Sequence, residues 1–109
     1  MKIPKKLKLF GQTINVEFVD NLINDRDAVG LAIYRENKIL LQKNVDGTKI
    51  TKEMMEQTFI HEVTHFIIYL MGENELQNNE KFIDILSSLF HQFLITSEGE
   101  LSIKIGEKK

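Results

Sequence analysis

The sequence contains no cysteine and no long uninterrupted run of apolar residues. The first absence excludes disulfide bonds, thiolate metal sites and cysteine nucleophiles, so any metal ion would need histidine, aspartate or glutamate ligands. The second argues against a membrane-spanning helix, because no segment approaches about 18 apolar residues. The first residues also lack the apolar stretch and small-residue cleavage site of a secretory signal. The sequence therefore predicts a cytoplasmic protein with no membrane partner.

Positive charge is concentrated in the first half of the chain. Residues 1–52 contain ten Lys and Arg against six Asp and Glu, whereas residues 53–100 contain one against nine. No basic patch broad enough for duplex DNA is evident, which argues against a nucleic-acid partner. The excess of carboxylates in the second half is instead a suitable environment for a cation.

Hydrophobic alternation predicts strands in the first half of the chain. Leu7 and Leu9 precede a break at Gly11, and Ile14, Val16 and Phe18 follow it, which indicates a hairpin or two short strands. The polar stretch 20–27 reads as a loop with a helical turn. A second hairpin is predicted from the runs 31–34 and 39–41, with its turn near Asn37, and a final strand from Leu101, Ile103 and Ile105.

Apolar residues at three- and four-residue spacing predict two helices, at about 52–71 and 79–96. Thr51 is suited to cap the first helix and Gly72 to end it. The second half of this helix is apolar nearly all round, so we expect it to lie inside the core. In the second helix, Phe82, Leu86, Leu89 and Phe93 are spaced for burial.

Because the strand and helix signals segregate along the chain, the sequence predicts an α+β fold. The expected architecture is a small mixed or antiparallel sheet of about four to five strands packed on two core helices. The 109 residues, of which 42% are hydrophobic and 28% charged, have the length and composition of one globular domain spanning 1–109.

Two of the three histidines occur in the sequence His61-Glu62-Val63-Thr64-His65, inside the first predicted helix. Four helical residues correspond to about 400° of turn and about 6 Å of rise, so both imidazoles project from one face and can share one ion. Glu62 is about 100° round the helix from His61. Its carboxylate is therefore expected beside the ion, where a general base for a metal-activated water is needed.

The third ligand is expected from the second predicted helix. Catalytic zinc usually takes three protein ligands and one water, and no histidine follows at the spacing of a continuous HExxHxxGxxH motif. Glu80 and Asp84 are four residues apart and share a helix face. We predict Glu80 as the third ligand and Asp84 as the carboxylate that accepts the free N–H of a ligand histidine.

His91 is an alternative third ligand, because it lies on the same helical stripe as Glu80 and Asp84. It is about 16 Å of helical rise beyond Glu80, so the two cannot serve one ion. Burial against a neighbouring element is the simpler explanation for His91.

The segments HEVTH and NEKFID resemble the gluzincin branch of zinc metallopeptidases, whose pattern is HExxH followed by NExxxD. In size the chain is similar to the minimal zincin-like proteins of phages and mobile elements, including the compact ImmA/IrrE type. The match covers residues 61–84. It implies a minimal zincin-like fold in which His61, His65 and Glu80 bind zinc, Glu62 activates water and Asp84 orients a histidine.

The resemblance also implies that a strand near this helix aligns an extended peptide by edge pairing, and Ile39, Leu40 and Leu41 are the candidate strand. Tyr69 continues the histidine stripe, and both Tyr69 and Tyr34 are candidates to stabilise an oxyanion, although packing explains either tyrosine as well. The prediction is a zinc-dependent peptidase acting on a peptide or protein.

The alternative is a metal-stabilised regulatory or binding module that does not turn over a substrate. A chain this short supplies one wall of a cleft, which leaves room for a partner protein or a homodimer to contribute specificity. Chelation separates the two hypotheses, because a structural metal contributes directly to folding.

Overall fold

The computed structural model describes residues 1–26, 28–45, 48–99 and 101–102. Within these residues the strands are β1 (Lys6–Leu9), β2 (Gln12–Val19), β3 (Gly30–Ile33), β4 (Lys38–Gln42), β5 (Asn44–Val45) and β6 (Thr48–Lys49). The helices are α1 (Leu22–Arg26), α2 (Lys52–Leu70), α3 (Asn74–Gln77) and α4 (Glu80–Thr96). The predicted α+β class is confirmed.

The main sheet has the strand order β1-β2-β4-β3. The β1–β2 and β3–β4 pairs are antiparallel, whereas β2 and β4 run parallel, so the sheet is mixed. Strands β5 and β6 form a separate two-stranded ribbon. This order leaves β1 and β3 at the edges of the main sheet and encloses β4 between two neighbours.

Both predicted hairpins are confirmed, and left-handed residues close their turns. In the first, Leu9 pairs with Gln12, and the two residues between them, Phe10 and Gly11, have φ of 50° and 74°. A two-residue turn with two positive φ values matches the right-handed twist of the strands. In the second, Asn37 has φ of 50° and follows a short 3₁₀ turn at Tyr34–Glu36.

Helix α2 lies between the sheet and α4, and its predicted bounds are nearly those observed. The Thr51 hydroxyl accepts a hydrogen bond from the backbone N–H of Met54, and Gly72, just past the helix, has φ of 78°. Phe59 and Phe66 pack against the sheet in the main hydrophobic cluster. Neither α2 nor any other helix in the described parts of the chain combines the length and apolar character needed to cross a membrane.

Helix α4 packs on α2 with a face that the sequence reasoning did not select. Its buried residues are Ile83, Ser87 and His91, whereas the predicted core residues Leu89 and Phe93 are 58% and 64% exposed. The prediction that Phe82, Leu86, Leu89 and Phe93 are buried together is therefore wrong within this chain. Polar contacts with α2 select the observed face, and they include the pairing of His91 with Glu56.

The remaining predictions concern short segments. The helical turn expected within 20–27 is α1, whereas α3 was not predicted. Leu101, placed by the sequence in a final strand, is outside any strand and 87% exposed. Ile103 and Ile105 of that predicted strand lie outside the described residues.

Candidate metal centre

The two histidines of α2 and the first residue of α4 meet at one point. Nε2 of His61 lies 3.4 Å from Oε1 of Glu80, and Nε2 of His65 lies 3.2 Å from Oε2 of the same carboxylate. The imidazole rings are 4.9 Å apart between centroids. One potential ligand atom from each of these three residues lies within 4.8 Å of the others. The structure thus brings together the three residues that the sequence reasoning selected as ligands.

Helix geometry explains this convergence. His61 and His65 occupy successive turns of α2, and Glu80 is placed at the start of α4 because Asn79 caps that helix. The Asn79 side chain accepts a hydrogen bond from the backbone N–H of Phe82, which fixes the first turn. The Glu80 side chain, 64% exposed, reaches across to α2 from this position.

The spacing and chemistry of these donors suit a zinc ion. Two ligand atoms that are each about 2.1 Å from a tetrahedral ion lie about 3.4 Å apart. The separations of 3.4 Å from Nε2 of His61 to Oε1 of Glu80 and of 3.2 Å from Nε2 of His65 to Oε2 of Glu80 are close to that value. Two imidazole nitrogens and one carboxylate oxygen also form a donor set that catalytic zinc sites use, with a fourth position left for water.

The second nitrogen of each histidine has a different environment. Nδ1 of His61 lies 3.1 Å from Oδ1 of Asp84, one turn along α4 from Glu80. Nδ1 of His65 is buried and completes no hydrogen bond with any atom in the described chain, although Gln77 of α3 lies beside it. Burial lowers the pKa of His65, and the Glu80 carboxylate opposes this shift. His65 therefore favours the neutral imidazole that a metal requires.

Glu62 is buried against β3, close enough to Glu80 to feel its charge. Burial raises the pKa of Glu62 to about 7, the negative charge of Glu80 adds to the rise, and the backbone N–H of Ala32 opposes it. A carboxyl group with a pKa near neutrality can both accept and release a proton under physiological conditions. This is the property that the predicted role of Glu62 needs.

Gly30 lets β3 approach α2 at this point. A Cβ atom at residue 30 would lie 2.5 Å from Cγ2 of Thr58 and 3.1 Å from both Cγ and Oε2 of Glu62. No larger residue fits without displacing these side chains. The sequence reasoning missed Gly30, and the only signal was a glycine opening the apolar run at 31–34.

The predicted substrate-aligning strand, Ile39 to Leu41, was wrong. These residues belong to β4, which pairs with β2 on one side and β3 on the other, so its backbone groups are already used in the sheet. The error arose because the parallel β2–β4 pairing could not be read from local alternation. The edge strand beside α2 is β3.

Strand β3 directs backbone groups that do not pair with β4 towards α2. The carbonyl of Val29 accepts a hydrogen bond from the backbone N–H of Gln42 in β4. Because antiparallel strands alternate between inward and outward backbone groups, those of Gly30 and Ala32 point away from β4. The effect of the Ala32 N–H on Glu62 agrees with this direction.

A cleft of about 400 Å³ lies between the end of β3 and the two long helices. His61, Glu62 and Asp84 form one part of its wall. The other lining residues are Val29, Gly30, Gln57, Thr58 and Ser88. The side-chain amide of Gln57 donates a hydrogen bond to the Ser88 hydroxyl, which joins α2 to α4 beside the cleft. The cleft therefore reaches the candidate metal centre at His61, whereas His65 and Glu80 are not among its lining residues.

Tyr34 and Tyr69 stack on each other, with ring centroids 4.1 Å apart and planes 6° from parallel. Tyr34 also makes an edge contact with Phe66 in the core. Partial burial raises the pKa of Tyr34 to about 12, and the nearby charges of Glu62 and Glu80 contribute to the rise. Tyr34 is therefore a neutral phenol near the site, and packing accounts for its position.

His91 is not part of the site. Its Nε2 lies 3.3 Å from Oε1 of Glu56, and both residues are buried between α2 and α4. The expectation that His91 has a structural position is confirmed. Its separation from Glu80 along α4 follows from helical rise, as the sequence indicated.

Comparison with protein-family models, with curated proteins and with solved structures found no match. The functional interpretation therefore depends on the geometry of this site alone.

Proposed function

We propose that this protein is a zinc-dependent peptidase. The observation that carries the proposal is the convergence of His61, His65 and Glu80, combined with a buried Glu62 whose pKa is raised to about 7. A metal-binding trio alone is compatible with a structural site. Hydrolysis requires in addition a carboxyl group that accepts a proton, and Glu62 lies beside the trio at the wall of an open cleft.

In the proposed mechanism, His61, His65 and Glu80 hold the ion and Asp84 fixes the orientation of the His61 ring. Zinc bound there would supply Lewis-acid chemistry, acidifying a water and polarising the scissile carbonyl. Glu62 accepts the proton of the attacking water and delivers it to the leaving amine. Burial raises the pKa of Glu62 to about 7, which favours the first of these transfers.

The substrate is an extended peptide segment that pairs with β3. The backbone groups of Gly30 and Ala32 are directed away from β4, and Gly30 borders the cleft that Glu62 lines. Main-chain pairing with this edge supplies affinity without requiring a particular sequence. Tyr34 follows directly after β3, and burial together with nearby acidic groups keeps its phenol protonated.

Conversion of Glu62 to Gln tests this proposal. E62Q is expected to bind zinc as wild type does and to lose at least about 100-fold in cleavage rate, because the side chain can no longer accept a proton. Zinc content and cleavage of a peptide library, followed by mass spectrometry, are measured together. E53Q is the matched control, because Glu53 lies in the exposed first turn of the same helix. Cleavage by E62Q at the wild-type rate would contradict the proposal.

The second candidate function is a non-catalytic module in which the metal joins α2 to α4. It is favoured by the origin of the ligands, since both histidines belong to α2 and Glu80 belongs to α4. A wild-type protein that binds zinc tightly but cleaves no member of the library would support this candidate. Thermal unfolding in the presence of a chelator independently distinguishes a structural metal from a catalytic one.

A further inference from the structure

Helix α4 carries a second apolar stripe on the face that points away from α2. Phe82, Ile85, Leu86, Leu89 and Phe93 fall within about 100° of one another on a helix of 3.6 residues per turn. A stripe of this width is typical of a helix face that packs in a core. Ile85, Leu89 and Phe93 are nevertheless 52%, 58% and 64% exposed.

The opposite face of α4 already contacts α2. Ile83, Ser87 and His91 are buried there, and Glu80 and Asp84 face the histidines of α2. Helix α2 is covered by the sheet on its other side, so α4 is the outermost layer among the described residues. An outermost helix normally presents polar residues to water, whereas this stripe of α4 presents apolar ones.

The apolar surface of α4 is large for a chain of this size. The exposed apolar side chains on and beside this stripe are Ile85, Leu89, Phe90 and Phe93, each about half exposed, whereas Leu94 and Ile95 lie on other sides of the helix. With roughly 200 Å² per large side chain, these four offer about 400 Å² of apolar area. Stable protein interfaces bury roughly 800 Å² per partner, of which the apolar part is somewhat more than half. The stripe therefore supplies most of that apolar part.

The absence of charge on this surface favours an identical copy of the chain as the partner that covers it. Residues 85–97 contain no Asp, Glu, Lys or Arg, although charged residues make up 28% of the chain. A surface without charge offers no complementary ion pairs to a charged partner and no repulsion to an identical copy. Two copies related by a two-fold axis bring the same surface to both sides of the interface.

We infer that α4 is the interface of a symmetric homodimer, in which two copies pair their outer stripes with antiparallel helices. The exposed apolar residues of this surface extend from Ile85 to Phe93, so a two-fold axis that pairs them passes near Leu89. Helices α2 and α4 of both copies then form a four-helix arrangement. The ligand residues Glu80 and Asp84 face α2 instead, so pairing leaves both metal centres open.

Mass measurement of the full chain by light scattering after gel filtration tests the inference. Wild type is expected at about 25 kDa, twice the 12.7 kDa of one chain, at concentrations from micromolar upward. L89E is expected at the monomer mass, because it places one charge from each copy at the centre of an apolar interface. L101E is the matched control: it makes the same change at a residue that is 87% exposed and outside α4, and it should remain dimeric.

Circular dichroism checks that L89E retains its helices, and F93E serves as the second interface variant if L89E does not fold. A monomeric wild type throughout this range, a dimeric L89E or F93E, or a monomeric L101E would each overturn the inference. A wild-type monomer that dimerises only after removal of residues 103–109 would identify the end of the chain as the occupant and would also overturn it. Zinc content should be equal in the wild type and L89E, so failure of this inference is distinguishable from failure of the metal site.

Discussion

Oδ1 of Asp84 lies 3.1 Å from Nδ1 of His61, so a carboxylate on α4 holds a histidine ring on α2. The contact fixes which ring nitrogen carries the proton and leaves Nε2 free on the side of Glu80. The first two turns of α4 therefore contribute two carboxylates to the site. Glu80 contacts both imidazoles at Nε2, and Asp84 contacts His61 at its other ring nitrogen, Nδ1.

Removal of the Asp84 carboxylate should weaken zinc binding without abolishing it. D84A is expected to lower zinc affinity by about 10- to 100-fold, which is typical for loss of a carboxylate that orients a ligand histidine. Competition with a chromophoric chelator measures this change. D20A is the matched control, because Asp20 is an exposed aspartate outside the site. Equal zinc affinity in D84A and wild type would show that the Asp84 contact does not support the site.

Alanine at residue 30 should destabilise the fold because its Cβ would lie 2.5 Å from Cγ2 of Thr58. The expected cost is about 1–3 kcal/mol, the usual range for an overpacked core, and urea unfolding measures it. The double variant G30A/T58S should recover much of this loss, since serine lacks the clashing methyl group. If T58S gives no recovery in the G30A background, the close approach of β3 to α2 is not what requires glycine.

The Glu56–His91 pair should make stability depend on pH. Burial alone would raise the pKa of Glu56, but the hydrogen bond with His91 and the charges of the N-terminal amine and Lys52 outweigh it, and the net pKa is lowered. A carboxyl group with a lower pKa in the folded state stabilises the fold above its unfolded pKa, and this contribution is lost as pH falls through the folded value.

E56Q should therefore unfold at a lower temperature than wild type at neutral pH. The difference between the two proteins should shrink as pH falls below the ordinary glutamate pKa of 4.5. Thermal unfolding across this pH range measures it, with E53Q as the exposed control on the same helix. A difference that stays constant with pH would exclude an ionic contribution from Glu56.

Chelation should lower thermal stability without unfolding the protein. The main cluster, which includes Ile14, Ile39, Phe59 and Phe66, joins the sheet to α2 and contains none of the proposed ligands. Zinc binding to the folded state then adds stability by mass action, by about 4 kcal/mol at a free concentration 1,000 times the Kd. Thermal melts with zinc and with EDTA measure this. An unfolded protein in EDTA would favour the non-catalytic structural role.

Much of the site could be predicted because its residues are local in sequence. His61, Glu62 and His65 are placed by one helix, and the positions of Glu80 and Asp84 relative to each other by another. The helix ends at Thr51 and Gly72 were also readable, since capping depends on neighbouring residues. The meeting of the two helices was expected because two histidines need a third ligand, and the family resemblance implied the same residues; periodicity alone did not predict it.

The features that were missed depend on long-range pairing. The strand at the sheet edge is decided by the parallel pairing of β2 with β4, which has no local signature, so Ile39 to Leu41 were assigned to the wrong position. The buried face of α4 was chosen by polar partners on α2, among them Glu56 for His91, and not by its strongest apolar stripe. Gly30 became recognisable only when its neighbours on α2 were known.

The most direct test of the account is the zinc stoichiometry of the purified chain after loading with zinc and removal of the excess. Wild type and E75A, whose altered residue is an exposed acid in the first turn of α3, should each retain one zinc per chain. H61A, H65A and E80A should each retain much less, because each variant lacks one of the three ligands. A wild type that retains no zinc, or an E80A that retains as much as E75A, would contradict the central claim.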